Sequence, residues 1–523
     1  MEYIVKYNGD ILSLGYPTEL LGHQYAILEL EPDEVSELLE YPQIEYFEPS
    51  EGLSPFLQAG LDSACITPIK RDEALGLTGT GVMIGFIDSG IDLTHPEFLT
   101  ENGATRVLWL WDMTIPGSPP LGFRKGTVYS AREIDEGNTD SRDVVGHGTA
   151  AAAIAAGRSG IAPGAAIVAV KMGSGNSATS TDVMRGIKFI MDCAAQEAMP
   201  CVINLSYGTN KGSHQGQSLF ETYIDAMAQQ GRTVIVCASG NEGDSGHHFS
   251  GKLSSGSILD VEFTVSTPRS SIFLTLWKSF ADIARFEMIL PSGASTGPLS
   301  SGRARQFSFG PVQLSAVFNG PTHFSTAQEV YYTLSAPSGQ LNGLWKLRCY
   351  GDRIVEGGFN IWLPTVEEVG RDTAFLLPDP NLTITLPATA RLPISVGGYR
   401  SGTGTASTFS GRGAAPCQGH ALLDLCAPAE QIYTAKAGGG YDTYSGTSMA
   451  APFVSGSTAL LMEWGIIQRN DPFLYGQRIK AFLCANAARS TFLNYPDPVW
   501  GYGKLNLCAA LADLVRQRER GTL

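Results

Sequence analysis

Three short segments carry residue types that together can run acyl transfer. In IDSGID, Asp88 follows directly on an apolar run; in GHGTAAAAIAAG, His147 follows a glycine and opens an Ala-rich helical stretch; in SGTSMAAPFVSG, Ser448 falls in the first turn of a long apolar helix. A serine hydroxyl is a weak nucleophile until a neighbouring imidazole takes its proton, and that imidazole needs a buried carboxylate to fix its tautomer. A helix N-terminus adds unpaired N–H groups and the positive end of a dipole where the oxyanion develops. Small residues around Ser448 (Gly446, Thr447, Ala450, Ala451) leave room for a substrate chain. Taken singly, each has a plainer reading: Asp88 as a turn or capping residue, His147 as a structural histidine, Ser448 as a serine near a helix N-cap. Conjunction changes this, because Asp, His, Ser is one of three chain orders used by such triads.

These residues need a frame, and the sequence supplies one. From about residue 80, continuous apolar runs (VMIGFI, 82–87; AIVAV, 166–170; CVINL, 201–205; TVIVCA, 233–238) alternate with helical segments such as 182–198 and 218–230. Strands buried on both faces and separated by helices imply βαβ crossovers and a mostly parallel, three-layer α/β fold. Active residues should gather at the C-terminal strand ends. Residues 1–50 read as a small α/β unit, with strands MEYIVKY, HQYAILEL and IEYFEP and a helix PDEVSELLEY opened by Pro32 and Asp33. Between 247 and 385 the rhythm changes to short aromatic and β-branched runs (VEFTV, SIFLTLW, EVYYTL, GLWKLRCY, FNIWL), the pattern of an all-β sandwich or jelly roll inserted into a loop. PISVGG and ALLDLCAP then resume the α/β pattern.

Composition excludes several classes. With 523 residues, 43% hydrophobic, the chain suits a packed globule of two or three domains. Its 51 acidic residues outnumber 36 basic ones, giving a net charge of −15, and no helix carries a basic stripe, so nucleic acid is not the expected partner. No apolar stretch reaches the roughly 18 residues of a bilayer span, and MEYIVKYNGDILSLG lacks a basic then apolar leader; no membrane span, no signal peptide and cytoplasmic synthesis are expected. The nine cysteines are scattered and form no C-x-x-C, which fits buried free thiols better than disulfides or a zinc site.

DSGID, GHGT and GTSMAAP resemble the three signature motifs of subtilisin-like serine proteases, the subtilases, over about 65–247 and 388–515. The resemblance makes Asp88 the orienting carboxylate, His147 the general base and acid, and Ser448 the nucleophile. CASGNEG is similar to the family's oxyanion segment and makes Asn241 the side-chain donor; independently, an amide fixed at a strand end can meet a tetrahedral oxygen without reorganisation. Gly173, Ser174 and Gly175 in VKMGSGNS, and Ser206, Tyr207 and Gly208 in INLSYG, match the edges between which subtilases pair an extended substrate. The loop that helps bind calcium in many relatives is missing, since AAAAIAAGRSGIAPGA runs straight through. Glu97 stands where the family often has a ligating Asp. No cofactor and no metal site are therefore expected.

IEYFEPS is similar to the strand by which subtilase propeptides enter the active site, although YNGDILSLGYPTELLG replaces one expected helix. A propeptide with no preceding signal and a β insertion after GNEG look like the Csp-type germination proteases of clostridial spores. The expected organisation is a propeptide (1–58), a catalytic domain in two parts (59–246 and 386–523) and the inserted β domain (247–385). Self-cleavage is expected between residues 56 and 60, best at Gln58–Ala59, where an uncharged stretch can lie extended and offers a small P1′ residue. The implied activity is a serine endopeptidase acting on proteins and on its own propeptide, packaged in the spore and activating a cortex-lytic proenzyme. The rivals are a broad degradative subtilase and a non-catalytic scaffold.

Overall fold

The apolar runs of the catalytic region form the middle of an eight-stranded sheet. Across it the order is Leu425–Pro428, Ile394–Tyr399, Thr233–Ala238, Cys201–Leu205, Met83–Asp88, Ala166–Lys171, Val107–Asp112 and Thr127–Ser130. All neighbours pair parallel except the last two, which pair antiparallel. Every residue of Met83–Asp88, Cys201–Leu205, Thr233–Ala238 and Ile394–Tyr399 is buried. The cause is cover on both faces. Ile84, Phe86, Val202 and Val236 join a core with the helices His147–Ala156 and Thr447–Met462. Met83, Ile87, Ile203 and Ile235 join another with Ser180–Gln196 and Leu219–Ala228. The computed structural model describes residues 2–521 apart from 23, 32–33, 50–55, 73, 174–177, 301–303, 323 and 415–422.

Among the described residues one helix, Thr447–Ile467, is long and apolar enough to span a bilayer, but its apolar window is 94% buried inside the fold. It is the central core helix, and it carries Ser448. Eight cysteines are described, all as free thiols.

The inserted β domain has two antiparallel sheets. One, of six strands, runs in the order His248–Lys252, Gly358–Trp362, Ser271–Ser279, Ala327–Ser335, Val312–Asn319, Arg305–Phe309. The other, of four, runs Ile283–Ile289, Gly343–Arg353, Ile258–Val265, Ala374–Phe375. Inward residues of both sheets, including Phe263, Phe286, Tyr332 and Trp345, make a separate core. The insertion leaves the catalytic sheet after Thr233–Ala238 and returns before Ile394–Tyr399, which are paired neighbours. Trp362 joins the two regions: its ring stacks on His214 at 4.1 Å and on His248 at 4.9 Å, and its indole N–H donates to the Leu382 carbonyl at 3.0 Å.

By backbone contacts the chain divides into two compact units, 1–55 and 56–523. The first is a four-stranded antiparallel sheet, ordered Thr18–Gly22, Tyr25–Glu29, Glu2–Tyr7, Ile44–Pro49, over a small core of Val5, Ile11, Ala26, Leu28 and Leu38. The expected helix over PDEVSELLEY is a 3₁₀ helix, Val35–Glu40. Fewer than two α-turns fit between Glu34 and the extended Tyr41, whose N–H bonds back to the Leu38 carbonyl. Pro32 and Asp33, its expected start, lie outside the described residues. Where a further helix was missing from the family pattern, the chain forms a 3₁₀ turn, Ile11–Leu14, and the edge strand Thr18–Gly22.

Candidate active site

Four neighbouring parallel strands deliver the expected site residues to one sheet edge. Asp88 is the last residue of Met83–Asp88, Gly173 follows Ala166–Lys171, Ser206–Gly208 follow Cys201–Leu205, and Asn241 follows Thr233–Ala238. Parallel pairing puts these C-terminal ends side by side, which alternating directions would not do.

His147 and Ser448 come from the two core helices that begin at this edge. Asp88 is 1% exposed, and its Oδ1 meets His147 Nδ1 at 2.7 Å. The bond fixes the ring so that Nε2 faces away from the carboxylate. Asp88 Oδ1 also accepts from Ser89 N at 2.7 Å, while Oδ2 is buried without a hydrogen-bond partner. Close packing brings the two together: a Cβ at Gly148 would lie 2.1 Å from the Gly90 carbonyl oxygen and 3.0 Å from Asp88 Cβ.

Burial opposes charge on His147, but the Asp88 carboxylate, by charge and hydrogen bond, and the more distant Asp143 and Glu367 carboxylates outweigh it and raise its pKa. Asp143 lies outside the three motifs. It caps the His147 helix, accepting from the backbone N–H of Val145, Gly146 and Thr149 and from the Ser89 and Thr149 hydroxyls. The available signal was an acid four residues ahead of His147 at a helix start.

Ser448, 9% exposed, lies in the first turn of Thr447–Met462. Gly446 before it has φ of 147°, a conformation that favours glycine, and a Cβ there would stand 3.0 Å from Ser448 Oγ. Among the described residues Ser448 Oγ makes no hydrogen bond to His147, the loose geometry common in free enzymes. The Ser448 helix is braced on the sheet: Ser455 Oγ donates to Asn204 Oδ1 at 2.9 Å, Asn204 Nδ2 to Ser206 Oγ at 3.0 Å, and Ser206 Oγ to the Ser448 carbonyl at 3.3 Å. Tyr207 stands edge-on to His147, ring centroids 6.2 Å apart. Burial and the Asp88 and Asp143 charges push its phenol pKa up. Gly208 lies against Thr385, and Ser174 and Gly175 lie outside the described residues.

Asn241 Oδ1 accepts from Thr447 N at 3.1 Å, which orients its amide beside the nucleophile turn, and its Nδ2 donates to Glu367 Oε1 at 3.0 Å. Glu367 belongs to the inserted domain, and nothing local in the sequence marked it. A cavity of about 790 Å³, lined in part by Val144, Val145, Gly146, Gly438 and Tyr444, opens beside the start of the His147 helix.

Gln58 and Ala59 lie within the helix Phe56–Ser63, where the sequence reading expects an extended stretch. Local and tertiary contacts hold this helix: Gln58 Nε2 donates to Asp62 Oδ1 one turn on and to Thr67 Oγ1, both at 2.8 Å, and Gly60 packs against the Phe453 ring. Glu97, the position compared with a ligating Asp, has protein partners. Its carboxylate accepts from Ser159 N and Oγ and from the Tyr441 hydroxyl at 2.7–2.8 Å, and no metal-ligating cluster occurs among the described residues.

A carboxylate-oriented histidine and a helix-borne serine, meeting at the C-terminal edge of a parallel sheet, define a subtilisin-like serine protease. A model of the subtilase family of peptidases matches residues 79–337 and 378–503, and the chain belongs to that family. Among solved structures it is similar to the Clostridium perfringens CspB protease, with 36% identity and a TM-score of 0.79 over 88% of this chain and 98% of that one. Curated relatives include a cuticle-degrading serine protease of Arthrobotrys oligospora, 29% identical over 232 residues (41% of this chain, 48% of that protein). The PI-type proteinase of Lactococcus lactis subsp. cremoris is 24% identical over 486 residues (80% of this chain, 24% of that protein). The chain spans less than half the length of each of these two.

Proposed function

We propose that the chain is a serine endopeptidase that hydrolyses protein substrates through an acyl-enzyme on Ser448. The observation that carries this reading is the 2.7 Å bond from the buried Asp88 to His147, set beside a serine in the first turn of a helix. His147 Nε2 takes the Ser448 proton as Oγ attacks the scissile carbonyl, and Asp88 stabilises the imidazolium. The tetrahedral oxygen is stabilised by Asn241 Nδ2 and the Ser448 N–H at the helix start. His147 then protonates the leaving amine, and water repeats the sequence on the ester. The cavity beside Val144 and Val145 takes substrate next to the scissile bond, and Ser206–Gly208 pair with its main chain.

The likeness to the CspB protease supports a narrower role: proteolytic activation of a cortex-lytic proenzyme during spore germination, with residues 1–58 as a self-cleaved propeptide. Cleavage at Gln58–Ala59 requires that bond to lie extended in the site, so the helix Phe56–Ser63, which spans it in the uncut chain, must unwind before the cut.

A peptidyl phosphonate that labels serine nucleophiles tests the catalytic reading. One equivalent should attach at Ser448 and none to Ser448→Ala; absence of labelling in the wild type would overturn it. N-terminal sequencing tests the processing. Wild type should begin near Ala59 and Ser448→Ala at Met1; if both begin at Met1, self-processing is wrong.

A further inference from the structure

The inserted domain reaches the oxyanion donor. Asn241 Nδ2 donates to Glu367 Oε1 at 3.0 Å across 126 residues of chain. The short helix Val366–Val369 that carries Glu367 is fixed on several sides. Thr365 and Glu368 close a capping box, Val366 N donates to Glu242 Oε1 at 2.7 Å, and the Arg269 guanidinium donates to the Glu368 carbonyl. Glu242 directly follows Asn241, is 2% exposed, and is held in turn by Ser245 Oγ, His247 Nδ1 and Asn210 Nδ2. The helix backbone is thus locked to the oxyanion segment, whereas the Glu367 side chain is exposed. Asn241 is its one hydrogen-bond partner among the described residues.

This contact involves the group that catalysis needs. The tetrahedral oxygen and the Glu367 carboxylate compete for one amide. Asn241 has a second N–H, but a carboxylate left beside Nδ2 sets a negative charge against the developing oxyanion. The same carboxylate contributes to the field that favours protonated His147, which places it within electrostatic range of both halves of the site.

Resting on the serine-protease reading, we propose that Glu367 is a positioning residue that acts through Asn241. It caps the amide in the free enzyme, and the substrate carbonyl must displace it to receive the amide free of the opposing charge. The inserted domain thereby sets the availability of the oxyanion hole.

The test uses the full chain with Glu367→Gln, which removes the charge and keeps an acceptor, and Glu367→Ala, which removes both. Each is made in the wild-type and Asn241→Leu backgrounds. The readouts are kcat/KM on a small neutral peptide and the rate of Ser448 labelling by a peptidyl phosphonate. Glu367→Ala should raise both by about tenfold and Glu367→Gln by about threefold, the range expected for losing a solvent-exposed, charge-assisted bond. Compared on the high-pH plateau, where His147 is neutral and the field of the carboxylate on the base no longer counts, neither substitution should accelerate the Asn241→Leu enzyme, because there the carboxylate acts through that amide. Unchanged or slower variants, or a gain that persists in Asn241→Leu, would overturn the proposal. Those results leave the protease reading standing as long as wild type labels at Ser448. A folded wild type that neither labels nor hydrolyses would overturn that reading, and this inference with it.

Discussion

The catalytic sheet and the inserted sandwich solve the burial problem in opposite ways. Met83–Asp88 buries all six residues, whereas in Ala327–Ser335 only every second residue is buried. A strand covered on both faces has no free side, so its functional residues can stand only at its end, as Asp88 does, or beyond it, as Ser206 and Asn241 do. A strand with one wet face keeps side chains to spare for contacts. The sandwich accordingly meets the catalytic region through residues near its own margins, Trp362 and Glu367. The contrast separates a frame that carries the proposed catalytic groups from an attached body that touches them at its margin.

The sharpest break in that contrast would come at the triad. Ser448→Ala and His147→Ala should each lower kcat by about 10⁴–10⁶, and the double mutant should be little worse than either, since the base acts only through the nucleophile. Additive losses in steady-state kinetics would remove the triad assignment. Next in size, Asn241→Leu should cost about 10²–10³ in kcat with little change in KM, as expected for a donor used mainly in the transition state.

A third prediction concerns the seam between the two regions. Burial holds His214 down at about 4, and burial also lowers His248. Burial outweighs the carbonyl oxygens of Ile384 and Asn210 that face the His214 ring, and keeps both rings that flank Trp362 neutral. A histidine whose folded pKa lies below its unfolded value leaves the unfolded state binding more protons between the two. Its contribution is therefore complete above about pH 6.5 and is lost as pH falls towards 4, at a cost on the order of 3 kcal/mol for His214. Melting temperature should fall over that window, and His214→Phe should flatten the fall. A melting temperature flat from pH 7 to 4.5 would contradict the sandwich.

The smallest expected effect is on chemistry itself. Replacing residues 248–375 by a short Gly/Ser bridge should leave kcat on a small peptide within about tenfold, a barrier shift of about 1.4 kcal/mol, while thermal and proteolytic lifetimes drop. An unchanged lifetime with loss of protein-substrate cleavage alone would move the sandwich from a stabilising to a specificity role.

Much of the active site was legible in the chain because its signals are local. Asp88, His147 and Ser448 each sit where an apolar run ends or a helix begins, and glycines and alanines needed for close packing flank them. The strands showed themselves through unbroken apolar runs, since cover on both faces leaves no alternation. Other features were set by packing between distant segments. An uncharged stretch at Gln58–Ala59 looks extendable in sequence, yet it is helical, with Gly60 seated against the distant Phe453 ring and Gln58 held by Thr67. Glu367 looks like one more surface acid in VEEV; only the docking of the sandwich, through Val366 and Glu242, carries it to Asn241. The sequence by itself therefore determined which groups can do chemistry and which sheet holds them, because strand burial and helix starts are written within a few neighbouring residues. Tertiary structure alone decided what Asn241 touches, because that contact joins residues far apart in the chain through the fit of one core against another, and no local pattern encodes such a fit.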